Sequence, residues 1–167
     1  MHIEIHAHDI LNELRRQVIG SLHQKGREGE NQDGMDVALY ILDRSNNKLE
    51  FAEANNPLLI FRDNKMIEIK SYNMPIGIHK NADKSFTNHE FEVKKGDAIY
   101  AFSDGYTDQF GGKKEKKFML KNFKNLLQEI HDKPMAEQKL FLENTLDQWM
   151  GSLNQIDDIL VIGVRIV

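Results

Sequence analysis

The first part of the chain changes from a helical to a loop-like pattern of apolar and polar positions. Apolar residues at positions 10, 11, 14, 18 and 22 recur at helical spacing, with polar residues between them. We therefore predict a helix over residues 9–25, with Asp9 capping its start and Gly26 ending it. Residues 27–36 are polar and include Asp33-Gly34, which predicts a loop.

Short apolar runs separated by turn residues then occupy the middle of the chain. The predicted strands cover residues 37–42, 49–54, 58–61, 66–69, 86–93 and 98–102. Residues 49–54 alternate between apolar and polar, which is typical of a half-buried strand. Because these strands follow one another at short intervals, they indicate an antiparallel sheet or sandwich rather than alternating βαβ units.

The last third of the chain predicts two helices and a final strand. The helices cover residues 118–130 and 134–150, and Pro134 suits the first turn of the second. The continuous apolar run 159–167 predicts a central strand that is buried on both sides. The whole pattern predicts an α+β fold in a single domain, with a mostly antiparallel β-sheet sandwich flanked by helices. The apolar face predicted for the second helix consists of Leu140, Phe141, Thr145, Leu146 and Trp149.

Composition excludes several classes of function. The chain has 167 residues, 22 basic and 26 acidic, and a formal charge of -4, so it lacks the basic excess of nucleic-acid-binding proteins. It contains no cysteine, which excludes disulfides, thiolate zinc sites and cysteine nucleophiles. The sequence contains neither a signal peptide nor an apolar stretch long enough to cross a bilayer. We therefore expect a soluble, cytoplasmic chain.

Two acidic motifs are candidates for chemistry. Ser103-Asp104-Gly105 follows the predicted strand 98–102, and Asp157-Asp158 precedes the last strand. Carboxylates at strand ends can converge on a ligand, and Mg²⁺ and Mn²⁺ favour oxygen ligands. The alternative is purely structural, since Asp-Gly can form a turn and Asp-Asp can cap a strand. Spacing alone leaves both interpretations open.

Four ordered segments carry a resemblance to a known family. They are Asn55-Asn56-Pro57-Leu58-Leu59, Met74-Pro75-Ile76-Gly77-Ile78, the run from Lys95-Gly96-Asp97 through Ser103-Asp104-Gly105, and Asp157-Asp158-Ile159-Leu160. In this order they resemble the bacterial phosphatases related to stage II sporulation protein E, a branch of the protein phosphatase 2C superfamily. The resemblance covers residues 10–167.

The resemblance implies an activity and a site. It implies a phosphoserine/phosphothreonine protein phosphatase of bacterial signalling, in the manner of sigma-factor regulation, in which two Mn or Mg ions activate a water. It implies that Asp104 and Asp157 are metal ligands. Ser103, Gly105 and Asp158 are expected close to the metal, and no residue of the chain is expected to act as a covalent catalyst. The implied partner is a phosphorylated protein similar to an anti-sigma-factor antagonist.

The sequence also departs from the family pattern. The family begins with two further motifs that supply the aspartates bridging the metals. One is a Gly-Asp followed by aromatic residues and another Asp, and the other is a Gly-Asp that leads to a Gly-Lys-Gly turn; neither occurs in these 167 residues. We therefore expect a catalytic domain truncated at its N-terminus, with any sensor or membrane-anchoring segments upstream. The chain alone is expected to bind metal weakly or not at all and to have little activity. An uncovered sheet edge is expected to favour self-association.

Two further groups of residues have alternative interpretations. The basic stretch Lys113, Lys114, Lys116 and Lys117 is either a solvated turn or a docking element for a phosphoprotein substrate. The histidines at positions 2, 6 and 8 are either part of a loosely held terminus or transition-metal ligands.

Two rival functions also stay open. One is a catalytically dead phosphatase relative used for protein–protein interaction. The other is a carboxylate-rich metal-binding domain without phosphatase chemistry.

Overall fold

The computed structural model describes residues 5–24, 33–69 and 74–167. In this part of the chain the structure mixes helices with sheets, and every strand pair with a described register is antiparallel, which confirms the predicted α+β class. The helices are α1 (Ala7–Ser21), α2 (Gly105–Asp108), α3 (Leu120–Ile130) and α4 (Met135–Met150). The strands are β1 (Val37–Asp43), β2 (Lys48–Ala54), β3 (Leu58–Arg62), β4 (Lys65–Ile69), β5 (His89–Glu92), β6 (Ala98–Phe102), β7 (Phe110–Gly111), β8 (Lys116–Lys117) and β9 (Val161–Arg165).

The chain divides into two compact units. The first unit comprises Met1–Leu58 and Ile69–Lys94, and the second unit comprises Leu59–Glu68 and Lys95–Val167. The expectation of a single truncated domain is not tested by this division and stays a prediction. Both acidic motifs belong to the second unit.

The first unit is a three-stranded sheet with α1 packed on it. The strand order is β1-β2-β5, and Val37 pairs with Ala54 while Lys48 pairs with Glu92. Ala7 and Leu11 of α1 are buried in a core that also contains Phe86. Leu11, Leu14 and Val18 lie on the core side of the helix as predicted, whereas Ile10 is 40% and Leu22 53% exposed.

The ends of α1 differ from the prediction. His6, not Asp9, is the N-cap, and Asp9 lies at the third helical position, where its carboxylate accepts a hydrogen bond from the His6 N–H at 3.2 Å. The Asp9 carboxylate thereby satisfies one N–H that the start of the helix leaves without a helical partner. The helix ends at Ser21, before the predicted end at residue 25. Gly26 and residues 27–32 of the predicted loop lie outside the described residues.

Strand β2 is buried on both faces, so the predicted half-buried strand was wrong. Glu50 is only 9% exposed and Glu53 only 1%. The alternating pattern was read as one dry and one wet face, but these glutamates have partners inside the protein. Glu50 is contacted by His6 and Lys48, and Glu53 lies 3.5 Å from His89 Nε2. A charged side chain can be buried when it is paired in this way.

The second unit is a four-stranded sheet covered by helices. The strand order is β4-β3-β6-β9. Strands β7 and β8 form a separate two-stranded hairpin, which lies between α2 and α3 in the sequence. Aromatic side chains dominate the core, and the rings of Phe102 and Tyr106 each lie 4.8 Å from that of Phe123. The buried members of this core are Leu59, Phe61, Ala98, Tyr100, Phe102, Tyr106, Phe118, Phe123, Leu127, Ile130 and Leu142.

The predicted inner face of α4 was partly wrong. Leu140 and Phe141 are 58% and 45% exposed, whereas Gln138 and Leu142 are buried. Positions 138, 142, 146 and 149 follow one another at three- or four-residue steps and face the core, as a helical period requires. Leu140 and Phe141 lie on other faces of the helix.

Two strand predictions also need correction. Strand β9 was expected at the centre of a sheet, but it is the last strand in its order, and Ile162 is 42% exposed. The strand predicted over residues 86–93 is restricted to β5 (His89–Glu92). In both cases a strand does lie within the predicted range. Its length and its place in the sheet depend on residues far away in the sequence.

Candidate metal-binding turns

The two acidic motifs lie at the same end of two neighbouring strands. Strands β6 and β9 pair antiparallel, with Phe102 opposite Val161. Asp104 follows the end of β6, and Asp157-Asp158 precede the start of β9. Since the end of one antiparallel strand lies beside the start of its neighbour, residues more than 50 positions apart in sequence form two adjacent turns.

Ser103 joins these two turns. Its hydroxyl donates a hydrogen bond to the Asp158 carbonyl at 2.9 Å and accepts one from the Leu160 N–H at 3.0 Å. The Ser103 N–H also donates to the Leu160 carbonyl at 3.0 Å. These three bonds extend the β6–β9 pairing beyond its last ladder residues. They link the segment that carries Asp104 to the segment that carries Asp158.

Gly105 allows the turns to approach each other. A Cβ atom at this position would overlap the carbonyl of Asp158, so a side chain there would force the backbone apart. Asp104 is the N-cap of the short helix α2, and its carbonyl accepts hydrogen bonds from the Asp108 N–H and the Thr107 hydroxyl. The backbone around Asp104 is therefore well held, while its side chain is exposed.

The side chains at the two turns are of the chemical type that binds a hard divalent cation. Asp104, Asp157 and Asp158 are all exposed carboxylates. One oxygen of Asp157 accepts a hydrogen bond from the Asp158 N–H at 2.7 Å, which orients that carboxylate. Mg²⁺ binds through one or two carboxylates and keeps several waters, so this donor set fits such an ion. Among the described residues, the ligand atoms of these three side chains do not all lie within 4.8 Å of one another, so they do not form a compact three-carboxylate group.

The basic stretch forms a hairpin rather than a simple turn before a helix. Strands β7 and β8 pair Phe110 with Lys117 and Gly111 with Lys116. Lys117 Nζ lies 2.6 Å from Asp108 Oδ2, at the end of α2. Lys113 and Lys114 are exposed in the connecting turn.

Sequence reasoning missed two residues that support the turns, Gln109 and Trp149. Gln109 is completely buried, and its carbonyl accepts a hydrogen bond from Trp149 Nε1 at 3.0 Å. Trp149 was interpreted as a core residue, which its contact with Phe118 supports. The adjacent glycines Gly111 and Gly112 are the sequence feature that could have indicated this contact, because they let the hairpin approach Trp149 closely.

A separate acidic and histidine group lies in the first unit. Ligand atoms of His6, Glu50 and Glu90 lie within 4.8 Å of one another. Lys48 Nζ lies 3.2 Å from an oxygen of each glutamate, so both carboxylates already have a positively charged partner. The group is an ion-pair cluster that ties the start of α1 to β2. His2 lies outside the described residues.

Comparison with protein families decides the affiliation. The family model described as Stage II sporulation protein E (SpoIIE) matches residues 2–167. The chain belongs to the stage II sporulation protein E family. Members of this family are protein phosphatase 2C-type domains of bacterial signalling, including sigma-factor regulation, and they are in general metal-dependent. The resemblance found in the sequence is thereby confirmed.

Solved structures show the same fold. The SiaA-PP2C domain of Pseudomonas aeruginosa is similar with a TM-score of 0.73 and 24% identity, over 95% of this chain and 69% of that chain. The phosphatase domain of the cell fate determinant SpoIIE from Bacillus subtilis has a TM-score of 0.57 and 15% identity, over 99% and 76%. The RsbU and RsbW domains of Rv1364c from Mycobacterium tuberculosis have a TM-score of 0.60 and 19% identity, over 92% and 39%.

Two further comparisons are negative. No curated protein matches the chain in sequence. None of the helices in the described residues combines the length and the apolar character needed to cross a membrane.

Proposed function

We propose that the chain forms the Asp104 and Asp157 side of a divalent-cation site in a phosphoserine/phosphothreonine protein phosphatase domain of bacterial signalling. The observation that supports this most is the meeting of the two acidic turns at one end of β6 and β9. In this proposal Asp104 and Asp157 bind the metal. Ser103, Gly105 and Asp158 hold the two turns together through the contacts described above.

The metal would be Mn²⁺ or Mg²⁺, since the donors are carboxylate oxygens. A bound pair of such ions supplies an acidified water for attack on a phosphate ester. The residues of this chain hold the carboxylates at the protein surface, where an ion can keep part of its water shell. The exposure of Asp104 and Asp157 agrees with that role.

We further propose that the 167-residue chain alone binds metal weakly and hydrolyses phosphopeptides slowly or not at all. Two ions carry four positive charges and need several oxygen ligands each. The acidic turns contribute only three carboxylates, and the bridging Gly-Asp motifs of the family do not occur in this sequence.

A titration with Mn²⁺ tests the metal assignment. Paramagnetic broadening of backbone amide signals should be strongest at Asp104, Gly105, Asp157 and Asp158, and Asp104→Asn should abolish it. Asp132→Asn, which changes an exposed aspartate elsewhere in the second unit, should leave it unchanged. Broadening that persists in Asp104→Asn would contradict the assignment. Rapid Mn²⁺-dependent hydrolysis of a phosphopeptide, lost in Asp104→Ala, would instead contradict the weak activity.

The rival interpretation is a phosphatase-like module that binds a regulatory protein without catalysis. The small number of carboxylates at the turns of the described chain favours it. It predicts no Mn²⁺-specific broadening at Asp104 or Asp157, so the same titration separates the two functions.

We propose that the hairpin of β7 and β8, which carries Lys113, Lys114, Lys116 and Lys117, docks the phosphorylated protein substrate. This substrate would be a protein similar to an anti-sigma-factor antagonist. The hairpin follows α2 directly, so Lys113, Lys114 and Lys116 are close in sequence to the Asp104 turn and are exposed. Replacing Lys113 and Lys114 with glutamate should weaken binding of a fluorescent phosphopeptide several-fold at low salt. Lys121→Glu together with Lys139→Glu, at exposed positions of α3 and α4, is the control with the same change in charge; equal weakening by both double changes would contradict docking.

We also propose that a second copy of the chain pairs with β9. Leu160 is hydrogen-bonded to Ser103, and Ile166 is hydrogen-bonded to Asp97 and Gly96. The backbone N–H and C=O groups of the even-numbered residues from 160 to 166 therefore point toward β6. The backbone groups of Val161, Gly163 and Arg165 therefore point away from β6.

This edge is complementary to itself. Antiparallel pairing centred on Gly163 would place Ile162 opposite Val164 of the second copy, without like charges facing each other. Light scattering should show a dimer that Ile162→Lys disrupts and Leu140→Lys does not. A monomer at high concentration would contradict this pairing.

A further inference from the structure

Gln109 is a buried polar residue between the two acidic motifs, and the proposed metal ligation assigns it no role. It directly follows α2, which begins beside Asp104, and it is completely buried in the second unit. Its N–H donates to the Gly105 carbonyl at 3.1 Å, and its carbonyl accepts from the Phe118 N–H and from Trp149 Nε1. The backbone of Gln109 is therefore held from three directions.

The side chain of Gln109 reaches the segment that carries Asp157. Its Nε2 donates to the Asn154 carbonyl at 2.9 Å and to the Phe110 carbonyl at 3.2 Å. Its Oε1 accepts from the Ile156 N–H at 3.3 Å. Residues 153–160 form neither helix nor strand, so they depend on such contacts for their position.

Only a primary amide satisfies all of these groups. It offers two N–H donors to the carbonyls of Asn154 and Phe110 and one oxygen to Ile156. A glutamate would turn a carboxylate oxygen toward two carbonyl oxygens. An apolar side chain would leave buried peptide groups without partners.

We propose that Gln109 is a positioning residue for metal binding, which sets the location of Asp157 relative to Asp104 by holding residues 154–156. This inference rests on the proposed metal site. Ser103 and Gln109 divide the task, because Ser103 contacts Asp158 and Leu160 on one side of Asp157, and Gln109 contacts Asn154 and Ile156 on the other.

The test compares two buried glutamines of the same unit. Gln138 is 2% exposed, donates to the carbonyls of His131 and Lys133, and accepts from the Tyr100 hydroxyl. It is thus matched to Gln109 in burial and hydrogen bonding, but its partners do not belong to the acidic turns. Each glutamine is changed to methionine, which keeps the length of the side chain and removes the amide.

The measurement is the Mn²⁺ concentration that half-broadens the amide signals of Asp104 and Asp157. Loss of a residue that orients metal ligands typically lowers metal affinity by about 10- to 100-fold. Gln109→Met should raise the midpoint by about tenfold or more on that basis, and Gln138→Met should leave it within about twofold. Without metal, hydrogen exchange at the Ile156 amide should be faster in Gln109→Met alone.

The outcomes separate this inference from the proposed function. Equal midpoints for Gln109→Met and the wild type, or equal shifts for both variants, would overturn the role of Gln109 while the metal site stands. Absence of broadening in the wild type would overturn the metal site and this role with it. If Gln109→Met does not fold, Trp149→Phe removes the bond to the Gln109 carbonyl and should shift the midpoint in the same direction; no shift would then count against the role.

Discussion

The first unit buries acidic side chains within its sheet, whereas the second unit exposes the carboxylates of its two acidic motifs beside the ends of strands. Glu50 and Glu53 are buried in β2 beside Lys48, His6 and His89. Asp104, Asp157 and Asp158 are exposed beside β6 and β9. In sequence both groups look alike, as acidic residues within or beside apolar strands.

The difference shows which acidic residues can act on a ligand. A buried carboxylate that already has partners within the protein contributes to architecture, because releasing it for another ligand would leave buried groups uncompensated. The second unit contains an example of its own, since Asp97 is 2% exposed and lies 2.6 Å from Arg62. Asp104, Asp157 and Asp158 are instead open to solvent, from which an ion can approach them.

The largest expected effect tests the aromatic core of the second unit. Phe123→Ala removes a fully buried ring that contacts Phe102 and Tyr106. The free energy of unfolding of the second unit should fall by about 3–5 kcal/mol. Native-state hydrogen exchange should show this loss in β6 and α3 more than in β1 and β2. Equal loss in both units would mean that they unfold as one.

A glycine comparison between the units comes next. Gly105→Ala should destabilise the second unit by about 2–3 kcal/mol, because its Cβ would meet the Asp158 carbonyl. Gly20→Ala in α1 meets nothing within 4 Å and should stabilise the first unit by up to about 1 kcal/mol. Urea denaturation of both variants measures the contrast, and a harmless Gly105→Ala would contradict the close approach of the acidic turns.

The acid stability of the first unit depends on Glu50. Burial by itself raises the pKa of Glu50, but hydrogen bonds from His6, Lys48 and Asn88 outweigh it and hold the pKa below its usual value. The stabilisation is therefore present above the unfolded-state pKa and is lost as the pH falls through the folded-state pKa. Glu50→Gln should cost about 1–3 kcal/mol at neutral pH. Unfolding of β2 in Glu50→Gln should depend less on pH below about 5. If the loss of stability at low pH is the same in Glu50→Gln and in the wild type, other groups cause it.

Tyr100 gives the second unit the opposite pH dependence. Burial raises its pKa to about 12, and its hydroxyl donates to Gln138 at 2.6 Å. The neutral phenol is favoured in the folded state, so this stabilisation is present below the unfolded-state pKa and is lost as the pH rises from about 10 toward about 12. Tyr100→Phe should cost about 1 kcal/mol at pH 7 and reduce the alkaline loss. Urea denaturation at pH 7 and pH 10.5 tests the two effects together.

Much of the secondary structure was predictable from local patterns. Strand β6 was predicted with its observed bounds, and α1, β1, β3 and α3 within a few residues, because apolar spacing reflects which face each element buries. The acidic motifs were also recognisable, since Asp-Gly and Asp-Asp at strand ends are local features.

The sequence by itself determined most of the helices and strands, the family resemblance and the candidate carboxylates of this protein. Only the tertiary structure decided that Asp104 and Asp157 lie on adjacent turns, that Glu50 and Glu53 are buried, and that β9 is the last strand of its sheet in the described part of the chain. The role of Gln109 likewise depends on partners more than 40 positions away. The physical reason is the same in each case: burial, pairing and strand order are set by contacts between distant residues, which no local pattern contains.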